Sequence, residues 1–371
     1  MGVRIAMHLI YGNSEDYHAV AVAWAMRKLG AEVFIWDGLG ATEDAQITLT
    51  PGALPGRIRM GARTLKKLDS VWFRRIVKHA PIQNVDREAV EFVENELKFG
   101  HLNLAVSVRA AANFVVGNPF PDQTQCKAFQ LDTAASLGFL VRETLISTHY
   151  DEVVNFVRRV GKVAVKPFNP YFWHYGDEQT YRIASTTVLN GTAELESDQI
   201  EVCPAIYQRY IEKRYELRVT VIGSYMFAAK ISRVDGGSFV DWRFGIGGRE
   251  AVVESVSLDP STEARIRQLI AVFNLKYGCL DLIVDPKGDI YFLEINPGGQ
   301  FLFVESMVKD FPMLAAFASM LRAQTMDFSL VQQDQIGLPQ FERTQEFEEM
   351  VSRRGTVVKS STVYRQVEAT H

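Results

Sequence analysis

The chain is poor in cysteine. Cys126, Cys203 and Cys279 are odd in number, far apart and without C-x-x-C spacing, so they are expected to be reduced thiols in a cytoplasmic protein rather than a zinc or disulfide framework. There is no apolar run of about 18 residues to span a bilayer, and the N-terminus turns polar too quickly for a signal peptide, so no membrane partner is expected. Charge of one sign is scarce too: 40 basic against 44 acidic residues give a net charge of -4, which argues against nucleic acid as the main partner. Internal repeats and low-complexity segments are lacking. The first strand-to-helix turn lacks G-x-G-x-x-G, so no dinucleotide is placed there, and the histidines form no convincing hydrolytic triad.

What is present is globular. Of 371 residues, 47% are hydrophobic and 23% charged, enough for two or three domains with sizeable cores. The most informative stretch covers residues 279–305, where Cys-Leu-Asp-Leu-Ile-Val and Asp-Ile-Tyr-Phe-Leu-Glu-Ile-Asn flank an Asp-Pro-Lys-Gly turn, a hairpin pattern. If Lys287 and Gly288 form the loop, Asp281 falls opposite Glu294, and Asn296 follows on the same face by the period of two. Two carboxylates and an amide oxygen suit magnesium, which takes oxygen ligands together with the phosphates of a nucleotide. Solvated polar positions on an ordinary sheet are the alternative. Apolar neighbours and the following Asn-Pro-Gly-Gly, which lets backbone approach a ligand closely, favour the metal site.

Taken in order, a strand over 3–10, a helix over 15–29 capped by Ser14 or Asn13, strands over 31–36 and 70–74, a helix over 86–105 and a strand over 113–116 predict a small open parallel sheet. Arg74 and Arg75 close a strand where open sheets place ligands, or are plain surface arginines. Asn-Pro-Phe-Pro at 118–121 marks a boundary. A helix over 122–137 carrying Lys127, an extended piece over 139–146, a helix over 151–159 and a strand over 162–166 follow; alternation turns Lys166 away from its neighbouring valines, toward a cleft. Residues 168–198 suit either a cover over a site or an ordinary hairpin. Two β-rich pieces over 205–221 place Glu216 and Arg218 on one face. A strand over 225–232, a glycine-rich loop holding Asp241-Trp242-Arg243, and helices over 260–277 and 307–323 complete the pattern, and 327–371 reads as a polar, weakly periodic appendage with room for partial order.

Residues 292–300 (Phe-Leu-Glu-Ile-Asn-Pro-Gly-Gly-Gln), Asp241-Trp242-Arg243, 208–221, 71–75 and Lys127 together resemble the ATP-grasp superfamily. The likeness is nearest to the ligases that macrocyclise ribosomal peptides into graspetides, microviridins being the known type. It covers residues 1–325 and implies an α/β (α+β) ATP-grasp fold: an N-terminal open α/β domain at 1–118, a central lobe at 119–204, a C-terminal lobe with the metal site at 205–326, and the appendage at 327–371.

The resemblance further implies that Lys127 and Lys166 hold the phosphates of ATP. Gln208, Arg209, Tyr210 and Ile211 would read adenine, Leu293 would complete the ATP set, and Glu216 would face the ribose or the accepting peptide. Arg218 would stabilise the transferred phosphoryl group; Asp281, Glu294 and Asn296 would hold magnesium; Asp241 and Trp242 would wall the peptide site, and Arg243 would orient the carboxylate to be activated. The implied partner is a ribosomal precursor peptide, whose leader would dock along 181–189 beside Glu194, Glu196 and Asp198, and the implied assembly is a homodimer. A ligase joining an amino acid to a small acceptor, or a nucleotide-binding module without catalysis, are the competing functions. Gly299 stands where the branch commonly has Asn, and Phe301 and Phe303 where it often has Trp.

Overall fold

The computed structural model describes residues 7–40, 43–52, 57–65, 67–75, 82, 84–120, 122–168, 171–175, 177–237, 239–240, 242, 250–331 and 335–353. Apolar, β-branched runs bounded by turns form the strands Met7–Tyr11, Glu32–Trp36, Leu68–Phe73 and Ala112–Val116, which pair in parallel with the second strand at one edge and the fourth at the other. All six residues of Leu68–Phe73 are buried, as a parallel strand with helices on both faces requires. Helix Tyr17–Lys28 packs against Ile10, Val33 and Trp72 on one face; Leu104, Ala105 and Val108 of helix Val90–Ala111 pack against Leu9, Val71 and Phe73 on the other.

Several predicted boundaries move, each for a local reason. The first helix is capped by Asp16, whose carboxylate accepts from the Ala19 N–H at 3.0 Å, while Asn13 accepts from Glu15 at 2.6 Å in the preceding turn. The second begins only at Val90 because Arg87–Ala89 winds as a 3-10 turn. The sheet of Ile47–Thr50, Arg57–Met60 and Arg63–Leu65 has no counterpart among the expected elements; it buries Ile58, Met60 and Leu65.

In the central unit, Thr187–Leu189, Val163–Lys166, Ala205–Arg209 and Thr144–Ser147 form an antiparallel sheet in that order. It packs on Val153, Phe156 and Val157 of helix Tyr150–Val160. The run expected as one helix over 122–137 divides into a 3-10 turn at Gln123–Gln125 and helix Lys127–Ser136, so Lys127 opens a helix. The piece over 139–146 divides as well: Leu140–Val141 joins a different sheet from Thr144–Ser147. Tyr171–Tyr175 and Asp177–Ala184 pair as an antiparallel hairpin.

The third unit is a six-stranded sheet in the order Ala251–Ser255, Tyr225–Arg233, Tyr215–Ile222, Tyr277–Val284, Ile290–Asn296 and Leu140–Val141. Helix Pro260–Val272 backs it, with Pro260 in the first turn where a missing N–H costs nothing and Asp259 capping the Thr262 N–H at 3.0 Å. It stops short of 277 because Asn274 turns left-handed (φ 50°) and Tyr277 starts a strand. The helix expected over 307–323 is two, Leu302–Met307 and Met313–Ala323, separated by Pro312, which a helix interior does not accept.

Phe317 of the second of these stands 4.5 Å from the Trp72 ring and 5.0 Å from Tyr277, so one helix seals the N-terminal and C-terminal sheets together. The stretch expected as an appendage is partly built into the fold. Leu338–Phe341 and Gln345–Arg353 lie on the first helix, with the fully buried Phe341 ring 5.6 Å from Trp24 and 5.7 Å from Tyr17. Buried Glu305 ties this stretch to the core by accepting from the Leu314 N–H at 2.7 Å and the Leu338 N–H at 3.4 Å, and burial raises its pKa to about 7. Among the described residues no helix is long and apolar enough to cross a membrane.

Candidate active site

The expected opposition of Asp281 and Glu294 occurs, by a different route. The turn is one residue longer than a two-residue loop: Asp285 Oδ1 accepts from the N–H groups of Lys287 and Asp289, both at 2.9 Å, Gly288 takes φ 95°, and Val284 pairs with Ile290. That register carries Leu282 to Phe292. Leu293 is then bulged out, the pairing shifts by one, and Asp281 meets Glu294 while Cys279 meets Asn296. A long loop and a bulge cancel.

Asp281 also stands opposite Arg218 on the strand to its other side. Arg218 Nη1 donates to both carboxylate oxygens, at 2.9 and 3.0 Å, and Nη2 donates to the Gln300 carbonyl at 2.9 Å. Burial opposes the guanidinium charge, but Asp281 outweighs it and the pKa lies above its ordinary value. Trp242 and Phe303 stack on each other at 5.3 Å, each 5.9 Å from the guanidinium carbon. Trp242 is therefore a buried loop anchor that also fixes Arg218. Asp241 and Arg243 lie outside the described residues.

Across from these carboxylates stand cations of the central unit and its connections. Lys127 pairs directly with Glu294. Lys166 is half-buried on its strand; burial and neighbouring Arg142 lower its pKa to about 7 against the opposing pull of Glu294. Arg142 is buried, donates to the Gln208 side-chain oxygen, and is pushed down to about 10 by burial despite Glu216 and Glu294. Lys213 donates to Glu216 at 2.8 Å and to the Val240 carbonyl at 2.9 Å. Arg142 and Lys213 were not expected here. Arg142 hides in a stretch that reads as one strand but is the joint between two sheets, and Lys213 hides in a charged turn that reads as solvated.

Gln208, Arg209, Tyr210 and Ile211 continue from the central sheet into the third unit. The Gln208 amide nitrogen donates to Thr144 at 3.0 Å, the Arg209 N–H goes to Glu143 and the Tyr210 N–H to Lys162, both at 2.9 Å. Ile211 carries the next amide along, and both Ile211 and the bulged Leu293 are half-buried. Asn296 is exposed, and its side-chain oxygen accepts from the Gly298 N–H at 3.0 Å, which leaves that oxygen a second lone pair.

The donor set fits magnesium: two carboxylates on adjacent strands and a nearby amide oxygen are hard ligands. Among the described residues no group of three or more His, Cys, Asp or Glu side chains has metal-binding geometry, so the expected set rests on the two carboxylates with the Asn296 amide beside them.

Arg74 is not a surface residue. It is buried, bonds Asp16 at 3.3 Å and donates to the Gly298 carbonyl, so the N-terminal sheet grips the turn after Asn296. Burial pushes the Asp16 carboxyl up, yet Arg74 and the Ala19 N–H outweigh it and hold its pKa low. His18 Nε2 accepts from the Phe301 and Leu302 N–H groups at 3.0 and 3.2 Å, completing the grip.

Gly299 in the same turn is required by space. A Cβ there would lie 2.6 Å from Cys279 Cβ and 3.0 Å from Arg218 Nη2, so an Asn cannot occupy this position without displacing one of them. Phe301 is buried in the core, where it stacks on Phe317 at 5.3 Å.

No family model matches the sequence, and no curated protein matches it. Solved structures do. The Microcystis aeruginosa macrocyclase MdnC, bound with precursor peptide MdnA, aligns at TM-score 0.69 and 24% identity over 86% of this chain and 100% of that one. A Chryseobacterium gregarium RiPP-associated ATP-grasp ligase, in complex with ADP and a leader and core peptide, aligns at 0.74 and 21% over 89% and 100%. The ATP-grasp ligase PsnB, complexed with a minimal precursor variant, Mg and ADP, aligns at 0.65 and 20% over 87% and 99%. The fold is that of the ATP-grasp ligases.

Proposed function

We propose that this chain is an ATP-dependent ligase acting on a ribosomal precursor peptide: it activates an Asp or Glu side chain as an acyl phosphate, which a hydroxyl or amine of the same peptide displaces to close an ester or amide ring. The observation that carries this reading is the facing of Lys127, Lys166 and Arg142 against Glu294, with Arg218 Nη1 donating to both oxygens of neighbouring Asp281. Phosphoryl transfer needs positioned charge more than covalent chemistry from the protein, and the cleft offers that.

In this reading Lys127, Lys166 and the unexpected Arg142 bind the phosphates, and the Ile211 amide with Leu293 meets the adenine. Gln208, Arg209 and Tyr210 act indirectly: Gln208 orients Arg142, and the other two fix the strand. Glu216 holds Lys213 at 2.8 Å and would act on the ribose or peptide through it. Asp281, Glu294 and Asn296 hold magnesium, which when bound neutralises charge on the phosphates. Arg218, clamped by Trp242 and Phe303, stabilises the transferred group, and Asp241 and Arg243 are assigned to the peptide side.

We assign 1–118, 119–204 and 205–326 as three units, with 327–353 an extension docked on the first. The chain is read as a cytoplasmic homodimer; Phe92, Phe99 and Val106, exposed seven residues apart along helix Val90–Ala111, suit a protein partner. A leader along 181–189 would add a peptide to the central unit.

The test is mass spectrometry of small peptides encoded beside the gene, incubated with the protein, ATP and magnesium. Successive losses of water with ADP release are expected, and Arg142→Gln should slow ADP release about 100-fold or more, the scale of one preorganised charge donor. ADP release with mass added from a free amino acid would instead make it a small-molecule ligase, and Mg·ADP binding without any turnover a binding module.

A further inference from the structure

A cavity of about 350 Å³ lies between the C-terminal ends of two N-terminal strands, represented by Phe73 and Val115, and the 273–277 stretch of the third unit. Ligands of open α/β sheets bind outside such strand ends. Pro297 and Gly298, immediately after Asn296, belong to its wall, so it adjoins the nucleotide cleft without sharing the phosphate-facing cations.

Its charge is one-sided. Arg75, Arg109 and Lys276 line it, against the single carboxylate of Asp122. That carboxylate is already engaged by the Thr124 N–H at 2.8 Å and the Asn118 amide at 2.5 Å. Arg109 spends one N–H on Asn118 Oδ1 at 3.2 Å. Arg75 is turned to Asp16 at 3.8 Å, so the cavity's cations with room for a ligand are Arg109 and Lys276, the latter 5.2 Å over the Phe114 ring. Burial, then the nearby Arg109 charge, lowers the Lys276 pKa, so an anion there would relieve a cost already present.

We propose that this cavity docks a second, non-reacting carboxylate-bearing stretch of the peptide substrate, held by Arg109 and Lys276 while another carboxylate is activated beside Arg218. The proposal rests on the peptide-ligase reading. The space holds roughly ten water volumes, far more than a phosphate ion, and Val115, Phe273 and Leu275 offer apolar wall to side-chain methylenes. A peptide with several acidic side chains matches both features. Such a hold would also keep the substrate at high effective concentration between successive ring closures.

The probe is a rhodamine-labelled Gly-Glu-Gly-Glu-Gly peptide and its Gln counterpart, titrated against the full chain by fluorescence anisotropy. The Glu peptide should bind, and Arg109→Gln with Lys276→Gln should weaken it about tenfold or more, as loss of charge-assisted bonds does. The Gln peptide should not distinguish the two proteins. Arg109→Lys with Lys276→Arg, which keeps the charge, should retain binding, and Mg·ADP affinity should be the same throughout.

Unchanged Glu-peptide affinity in the Gln double variant overturns the proposal. So does complete displacement of the peptide by inorganic phosphate at concentrations where glutarate displaces none. If Mg·ADP fails to bind the unaltered protein, the ligase reading itself falls; if it binds and only the peptide arms fail, the cavity alone loses its assignment.

Discussion

Gly299→Ala tests whether the turn after Asn296 sets Arg218. A Cβ at 299 lies 2.6 Å from Cys279 Cβ, 2.8 Å from Cys279 Sγ and 3.0 Å from Arg218 Nη2. Cys279 is fully buried in a strand paired on both sides, so it yields little. Relief has to come from the turn, which carries the Gln300 carbonyl that Arg218 Nη2 donates to. Reaching ordinary contact at 3.4 Å needs about 0.8 Å of movement, a scale at which a misplaced catalytic group costs roughly 100-fold in rate. Overpacking adds about 1–3 kcal/mol of destabilisation. Both are read from one set of proteins: ADP release for rate, and denaturant unfolding for stability. The clash is with Cβ as well as Sγ, so Cys279→Ala should not rescue Gly299→Ala, whereas Cys279→Gly should recover part of the rate. Equal turnover in Gly299→Ala and the unaltered protein, or rescue by Cys279→Ala as complete as by Cys279→Gly, would refute the reasoning.

Two further outcomes follow from the same geometry. Lys166 has its pKa lowered from 10.5 to about 7, so between those values the unfolded chain binds more protons than the folded one, and stability rises with pH across that window. Phosphates favour the charged ammonium, so Mg·ADP binding at pH 8 should take up to about one proton and at pH 6 nearly none. Calorimetry in buffers of different ionisation enthalpy reads this directly, and Lys166→Met should abolish the uptake; zero uptake at pH 8 in the unaltered protein contradicts it. Phe341→Ala should destabilise by about 3–5 kcal/mol, the cost of emptying a fully buried aromatic site, because its ring packs on Trp24 and Tyr17. A loss below about 0.5 kcal/mol, the surface-substitution scale, would mean that 338–353 is only loosely attached.

The hairpin was legible because its signals are local: turn residues, β-branched flanks and a period of two. Its register was legible only by cancellation, since neither the Asp285-capped loop nor the Leu293 bulge leaves a strong trace in the residue pattern. Arg74 shows the opposite limit. Its partners Asp16 and Gly298 are remote in sequence, and no local pattern distinguishes an arginine that clamps two units from one that closes a strand in water. The docking of 338–353 leaves little trace in the sequence for a related reason: a few aromatic and aliphatic anchors such as Phe341 and Met350 suffice to dock short helices on an already formed surface.

The pairing of Lys127 with Glu294 explains why residues from different units belong to one chemical device. A lysine suited to phosphate and a carboxylate suited to a dication stand in direct contact, so a ligand on either one competes with the ion pair between them. Phosphate on Lys127 releases Glu294, and a dication on Glu294 releases Lys127. Each event lowers the cost of the other, and by linkage the effect is mutual. Arg218 and Asp281 form the same kind of couple one strand away, held more tightly by the Gln300 carbonyl and by Trp242 and Phe303. In the ligase reading proposed above, the pair with fewer holds is the one that would meet metal and nucleotide, and the pair held by the Gln300 carbonyl, Trp242 and Phe303 the one that would meet charge in a fixed place.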